Sequence, residues 1–143
     1  MPAAVFLLRA RLMKPPMERR AGCRTLIVED DPAILRLVRI VLEREAFIVE
    51  GVRNGAEAIA LLSTVAYDLL IIDLMMPQLG GEAILGYLEE TQPNHLRRVI
   101  VTTASPGRVG CEFLQRVCRL LAKPFDIAEL LLIAKECAQP QAA

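Results

Sequence analysis

Five short apolar runs recur along the chain, at 25–28, 47–52, 68–73, 98–103 and 117–122, each closed by polar or turn-forming residues. The third is the most continuous. Leu69, Leu70, Ile71 and Ile72 lead straight into Asp73, and Pro77, Gly80 and Gly81 follow. An aliphatic run of this length, ended by turn signals, reads as a strand buried on both faces of a parallel sheet. Between the runs the period changes from strand to helix. Asp31 followed by Pro32 matches an N-cap with proline in the first helical position. Ile34, Leu37, Val38 and Val41 then share one face, which predicts a helix to about residue 46. Asn54-Gly55 opens a second helix striped by Ala58, Leu62 and Val65. A third runs over 81–90 with Ile84, Tyr87 and Leu88 inward, and Pro93-Asn94 breaks it. Ser105, Pro106, Gly107 and Gly110 leave only a short, poorly defined fourth helix to about 115. A last helix follows Lys123-Pro124-Phe125-Asp126, with Ile127, Leu130, Leu131 and Ala134 on one face.

Five strands alternating with five helices predict an α/β fold, a doubly wound parallel sheet with helices on both faces. A length of 143 residues suits one domain with a real core, and 4% aromatic residues against 54% hydrophobic make that core aliphatic. The formal net charge of zero gives no general pull toward nucleic acid or anionic membrane. Its distribution is uneven. Residues 1–22 carry Arg9, Arg11, Lys14, Arg19 and Arg20 against Glu18, a balance of +4 that leaves the remainder at −4. The expected layout is a flexible basic leader over 1–22, the folded domain over 23–138 and a short tail over 139–143. Met13 or Met17 is an alternative start. The leader has its charges after its apolar patch, the wrong order for a secretory signal, and no run reaches the ~18 apolar residues of a membrane span. Cys23, Cys111, Cys118 and Cys137 form no C-x-x-C pair, and His95 is the only imidazole, which argues against zinc. Separate free thiols in a reducing cytoplasm are the expectation.

The chemistry lies just past the strands. The first delivers Glu29 and Asp30, the third Asp73, the fourth Thr103 and the fifth Lys123. In open α/β sheets ligands collect at the carboxyl ends of strands. Three carboxylates in one crevice repel unless a cation joins them, and Mg²⁺ suits few carboxylates and several waters. Lys123 adds a point charge for a phosphoryl oxygen, and one carboxylate is a candidate nucleophile for an acyl phosphate.

In this order the motifs Leu26-Ile27-Val28-Glu29-Asp30-Asp31, Asp73-Leu74-Met75-Met76-Pro77 with Gly81, Thr103-Ala104 and Lys123-Pro124-Phe125 resemble the receiver domain of two-component response regulators. The resemblance covers residues 24 to about 137. It implies the flavodoxin-like (βα)5 sheet with strand order 2-1-3-4-5. It implies that Asp73 is the phosphoacceptor. Asp30 and Asp73 would bind Mg²⁺ directly, Glu29 through water, and the Met75 carbonyl would complete the protein ligands. Lys123 would pair with Asp73 and then with the phosphoryl group, Thr103 would move toward the phosphate, and the Lys123–Pro124 bond would be cis. The implied donor is a phosphohistidine on a histidine kinase or a phosphotransfer protein. The implied setting is the cytoplasm, with no enzymatic activity beyond the domain's chemistry on itself.

Two features depart from the family pattern. The family usually places Tyr or Phe three residues before its lysine, where this chain has Leu120, and the fourth helix is short. With the chain ending at Ala143, the expectation is a stand-alone receiver whose output is contact with an unknown protein or onward phosphotransfer. The alternatives are a pseudo-receiver scaffold that takes no phosphate, and a phosphohydrolase with an aspartate nucleophile. The haloacid-dehalogenase type of the latter needs a second acid where this chain has Met75. A flavodoxin-like electron carrier would need a Ser/Thr/Gly-rich phosphate loop after the first strand, and Glu29-Asp30-Asp31 stands there instead.

Overall fold

A computed structural model describes residues 22–139. The leader, the alternative starts and all but the first residue of the short tail therefore lie outside the described residues. Five parallel strands, β1 (Arg24–Val28), β2 (Ile48–Val52), β3 (Leu69–Asp73), β4 (Val99–Thr103) and β5 (Arg119–Ala122), form one sheet in the order β2-β1-β3-β4-β5. They alternate with α1 (Pro32–Arg44), α2 (Gly55–Leu62), α3 (Gly81–Thr91), α4 (Cys111–Leu114) and α5 (Ile127–Ala138). Short 3-10 turns at Pro93–Arg98 and Pro106–Arg108 flank β4. Among the described residues no helix is long and apolar enough to cross a membrane.

The sheet divides the core by strand alternation. Leu26, Val28, Leu70, Ile72, Val99 and Val101 pack with Ala58, Leu62, Ile84 and Leu88 from α2 and α3. Ile27, Leu69, Ile71, Ile100 and Leu121 pack with Val38, Leu42, Leu130 and Ala134 from α1 and α5. Every residue of β3 is buried, as its unbroken aliphatic run requires. Central placement fixes the register: Ile72 lies opposite Val28 on one side and Val101 on the other, and Asp73 lies opposite Thr102.

The caps read from the sequence are formed. The Asp31 carboxylate accepts from the N–H groups of Ala33 and Ile34, with Pro32 at the first position of α1. The Asn54 side chain caps α2 and the Asp126 carboxylate caps α5. The Lys123–Pro124 peptide bond is cis. Helix α1 stops at Arg44, earlier than its periodicity suggests, because Ala46 adopts φ 66°, outside helical space. Its face is also turned. Val38 and Leu42 are buried, while Leu37 is 48% exposed. Leu37 instead borders a shallow apolar hollow with Ile34, Phe125 and Ile127.

The cysteines correct the expectation of separate thiols. Cys118 and Cys137 form a disulfide with their Cα atoms 6.0 Å apart, inside the usual window for such a bond. Helix α5 packs back along the strand it follows, so its last turn meets the residue that precedes β5. That proximity is tertiary and leaves no sequence motif. Cys23 is free and half-buried.

Two glycines of α3 test the packing. A Cβ on Gly81 would lie 2.6 Å from the Asp73 carbonyl oxygen and 2.7 Å from the Leu74 Cα, whereas a Cβ on Gly86 meets nothing within 4 Å. Gly81→Ala is expected to destabilise by about 1–3 kcal/mol through backbone displacement. Gly86→Ala is expected to stabilise by about 0.5–1 kcal/mol through lower unfolded-state entropy. Urea unfolding midpoints should move in opposite directions for the two variants.

Candidate functional site

The carboxyl ends of β1, β3, β4 and β5 open on one side of the sheet. Glu29 leaves β1 still tied to the sheet, its N–H donating to the Val52 carbonyl at 3.0 Å. Its carboxylate is buried, and Oε2 accepts from the Asp31 N–H at 3.2 Å. Asp31 itself is committed to capping α1. Asp30 is half-buried between them, and its carbonyl accepts two bonds from the Arg53 guanidinium, at 3.2 and 3.0 Å. Arg53 thus holds the acidic turn from the end of β2. Sequence reading did not single it out, because an arginine after a strand carries no signal of its target.

Asp73 ends β3 with its carboxylate buried. Oδ1 accepts from the Met75 N–H at 3.1 Å, and Oδ2 lies 3.2 Å from Lys123 Nζ. The same ammonium lies closer to Glu29, at 2.5 Å from Oε1. The resemblance pointed to Asp73 alone as the partner of Lys123, whereas the ammonium bridges the first and third strands. Thr103 is fully buried at the end of β4, and its carbonyl accepts from the Lys123 N–H at 2.8 Å, which fixes the backbone that launches the lysine. The Thr103 hydroxyl oxygen accepts from the Ser105 N–H at 3.0 Å. Its own proton therefore remains for another acceptor. The Met75 side chain is 44% exposed beside the site.

One oxygen each from Glu29, Asp30 and Asp73 lies within 4.8 Å of the others. Two like charges about 4 Å apart repel by about 4 kcal/mol at an effective dielectric near 20. Burial, joined by the Asp73 carboxylate and opposed by the Lys123 hydrogen bond, pushes Glu29 up to about 7. Burial works against the Lys123 charge, but hydrogen bonding and attraction to Glu29 and Asp73 outweigh it and hold the ammonium above its ordinary range. Three carboxylates against one ammonium leave two negative charges when all are ionised. A hard divalent cation with oxygen ligands fits that deficit and that donor set.

The structure thus brings Glu29, Asp30, Asp73, Thr103 and Lys123 to one sheet edge, with Met75 contributing a backbone donor. Residues 25–135 match the family model described as the response regulator receiver domain. Among curated proteins, the transcriptional regulatory protein ResD of Bacillus subtilis is 31% identical over 119 residues, 83% of this chain and 49% of ResD. The chain therefore spans about half the length of that relative. Among solved structures, response regulator TrrA of Thermotoga maritima with Mg²⁺ and BeF has a TM-score of 0.71 at 26% identity, covering 80% of this chain and 97% of TrrA. TrrA in complex with histidine kinase ThkA matches with a TM-score of 0.70 at 26% identity, covering 81% and 98%.

The charge deficit predicts a cation-dependent gain in stability. At about a hundredfold excess over its Kd, an ion that binds only the folded state adds about 2.7 kcal/mol. Thermal unfolding should shift upward by several degrees in MgCl₂ relative to NaCl of equal ionic strength. Asp30→Ala should abolish most of that shift while leaving the melt in NaCl unchanged or higher.

Proposed function

The chain belongs to the response regulator receiver family, and from that premise we propose that it takes a phosphoryl group onto Asp73 from a phosphohistidine. The observation that carries this reading is the grip on the Asp73 carboxylate. It is buried at the strand end, with a backbone N–H on one oxygen, an ammonium on the other and two further carboxylates beside it. Such a carboxylate is oriented, desolvated and flanked by groups that stabilise a transferring phosphoryl.

In the proposed reaction an Asp73 oxygen attacks phosphorus in line. The new O–P bond forms as the P–N bond to the donor imidazole breaks. Lys123 turns from Asp73 to a phosphoryl oxygen, which it reaches from the same strand end. The Thr103 hydroxyl keeps its acceptor bond from Ser105 and donates its proton to a second oxygen. Glu29, Asp30, Asp73 and the Met75 carbonyl would hold Mg²⁺, which supplies charge neutralisation at the phosphoryl oxygens. Little covalent work falls to the protein, so rate comes from positioning and electrostatics.

The donor in this reading is a histidine kinase or a phosphotransfer protein, in the cytoplasm. The domain itself has two uses for the phosphate: it presents an altered surface to a protein, or it passes the phosphoryl group on. A haloacid-dehalogenase type of phosphohydrolase is disfavoured because the position for its second acid is Met75, an exposed apolar side chain.

Incubation with acetyl phosphate and MgCl₂ should give a single phosphate adduct by intact mass, lost in Asp73→Asn and strongly reduced in Lys123→Met. No adduct in the folded wild-type chain would leave the scaffold reading instead. Met75 lies two residues past Asp73 with a bulky apolar side chain that would slow attacking water, so Met75→Asn should speed loss of the adduct about fivefold, equivalent to about 1 kcal/mol of barrier. The decay of adduct mass after removal of acetyl phosphate measures this, and an unchanged decay would remove Met75 from the account.

A further inference from the structure

The disulfide lies at the opposite end of the sheet from Asp73, and the site described above makes no use of it. Cys118 directly precedes β5, the strand whose other end launches Lys123. Its N–H donates to the Val99 carbonyl at 2.9 Å, so its backbone is fixed by β4. Its partner Cys137 lies in the last turn of α5 and is 1% exposed, within the core cluster that contains Leu130 and Ala134. The two sulfurs therefore differ in access. Cys118 is only partly buried and borders a groove of about 510 Å³ together with Pro93, Asn94, Arg97 and Gln115. Cys118 is thus the more accessible of the two residues, and a small thiol or disulfide meets it before the buried Cys137.

The bond is also not the sole attachment of α5. Leu130 and Ala134 are fully buried under the helix. Arg119 pairs with Glu136 at 3.1 Å, and Lys135 pairs with Glu45 of the α1 C-cap at 3.2 Å. A reduced Cys137 would remain in place as a small buried hydrophobe. The fold can thus hold both oxidation states.

We propose that Cys118 and Cys137 form a reversible redox couple that exchanges with low-molecular-weight thiols and disulfides through the Cys118 groove, fastening or releasing the last turn of α5. In the oxidising direction, the Cys118 thiolate attacks a small disulfide, forms a mixed disulfide and expels one small thiolate. The Cys137 thiolate then attacks the Cys118 sulfur and expels the second. Two electrons pass from the protein dithiol to the small disulfide, and the two thiol protons end on the two released thiols. Reduction follows the same steps in reverse, with the incoming thiolate attacking Cys118. The fastened turn adjoins β5, so the couple governs the freedom of the strand segment that holds Leu120.

The test uses the native chain equilibrated with glutathione at graded ratios of reduced to oxidised form, followed by alkylation, intact mass and peptide mapping. The expected result is interconversion of two native species, with the same circular dichroism, that differ by alkylation at Cys118 and Cys137 together. In Cys137→Ser, oxidised glutathione should be captured at position 118. In Cys118→Ser, position 137 should capture none without denaturant. Hydrogen exchange at residues 133–138 should be at least several-fold faster in the reduced species. A bond that opens only in denaturant, a pair alkylated in every native condition, capture at 137 in place of 118, or unchanged exchange would each overturn the proposal. No readout involves phosphate, so its failure is separable from failure of the Asp73 reading.

Discussion

The Lys123 ammonium, held between Glu29 and Asp73, is the interaction on which the site depends. Two buried carboxylates on neighbouring strands could not face each other ionised without it. Its position is set by backbone, not by the side chain alone. The Lys123 N–H is paired to the Thr103 carbonyl, Thr103 closes β4, and β4 lies against β3 in a register that puts Thr102 opposite Asp73. Parallel strands that start on one edge all finish on the other, so charge balance across β1, β3 and β5 follows from topology. The ammonium nevertheless leaves the carboxylates in excess. Burial, with the Asp73 carboxylate beside it, pushes Glu29 up to about 7, the direction expected where negative charge is in excess.

Much of this was legible in the sequence because strand ends are marked there. An aliphatic run ending in Asp73, and another ending in Lys123, announce both the strand and the residue delivered from it. Asp31-Pro32 announced the start of α1, and the cap formed as expected. Features decided by proximity between elements were not legible. Arg53 reaches the Asp30 carbonyl across the β1–β2 edge, and nothing in its flanking residues specifies that target. The closer pairing of Lys123 with Glu29 depends on side-chain reach within the crevice. The disulfide depends on how α5 folds back along β5. Leu37 failed for a related reason. Helical spacing identifies an apolar stripe but not how far the helix is rolled, and Ile34, Leu37, Val38 and Val41 form a stripe wide enough for its edge to lie outside.

The resemblance to the family also sets a contrast within the fold. Every group at the chemical edge is present, while the face reached through β4 and β5 is altered. Helix α4 is reduced to Cys111–Leu114, and Leu120 stands where the family usually carries an aromatic ring. Leu120 is half-buried opposite Val101 and packs against the same core cluster as Phe113 and Leu114. An aromatic side chain at such a site can exchange between a buried and an exposed position, moving a large surface and, for tyrosine, a hydroxyl. Leucine has less surface to move and no polar end to hold the outward position.

Strand β5 therefore carries two different controls at its two ends. At one end Lys123 is paired with Glu29 and Asp73, and in the proposed reaction it leaves Asp73 to meet a phosphoryl oxygen. At the other, Cys118 fixes the strand's start to the last turn of α5. A signal that passes along a strand needs some freedom at the far end, since a segment clamped at both ends transmits little displacement. Leu120 offers no aromatic ring to amplify small movements, so on the proposed reading the β5–α5 corner is where the strand's freedom is decided. Asp73 itself stands on a fully buried strand paired on both sides. The β4–β5 face instead carries a short helix, a half-buried leucine and a helix end held partly by a disulfide.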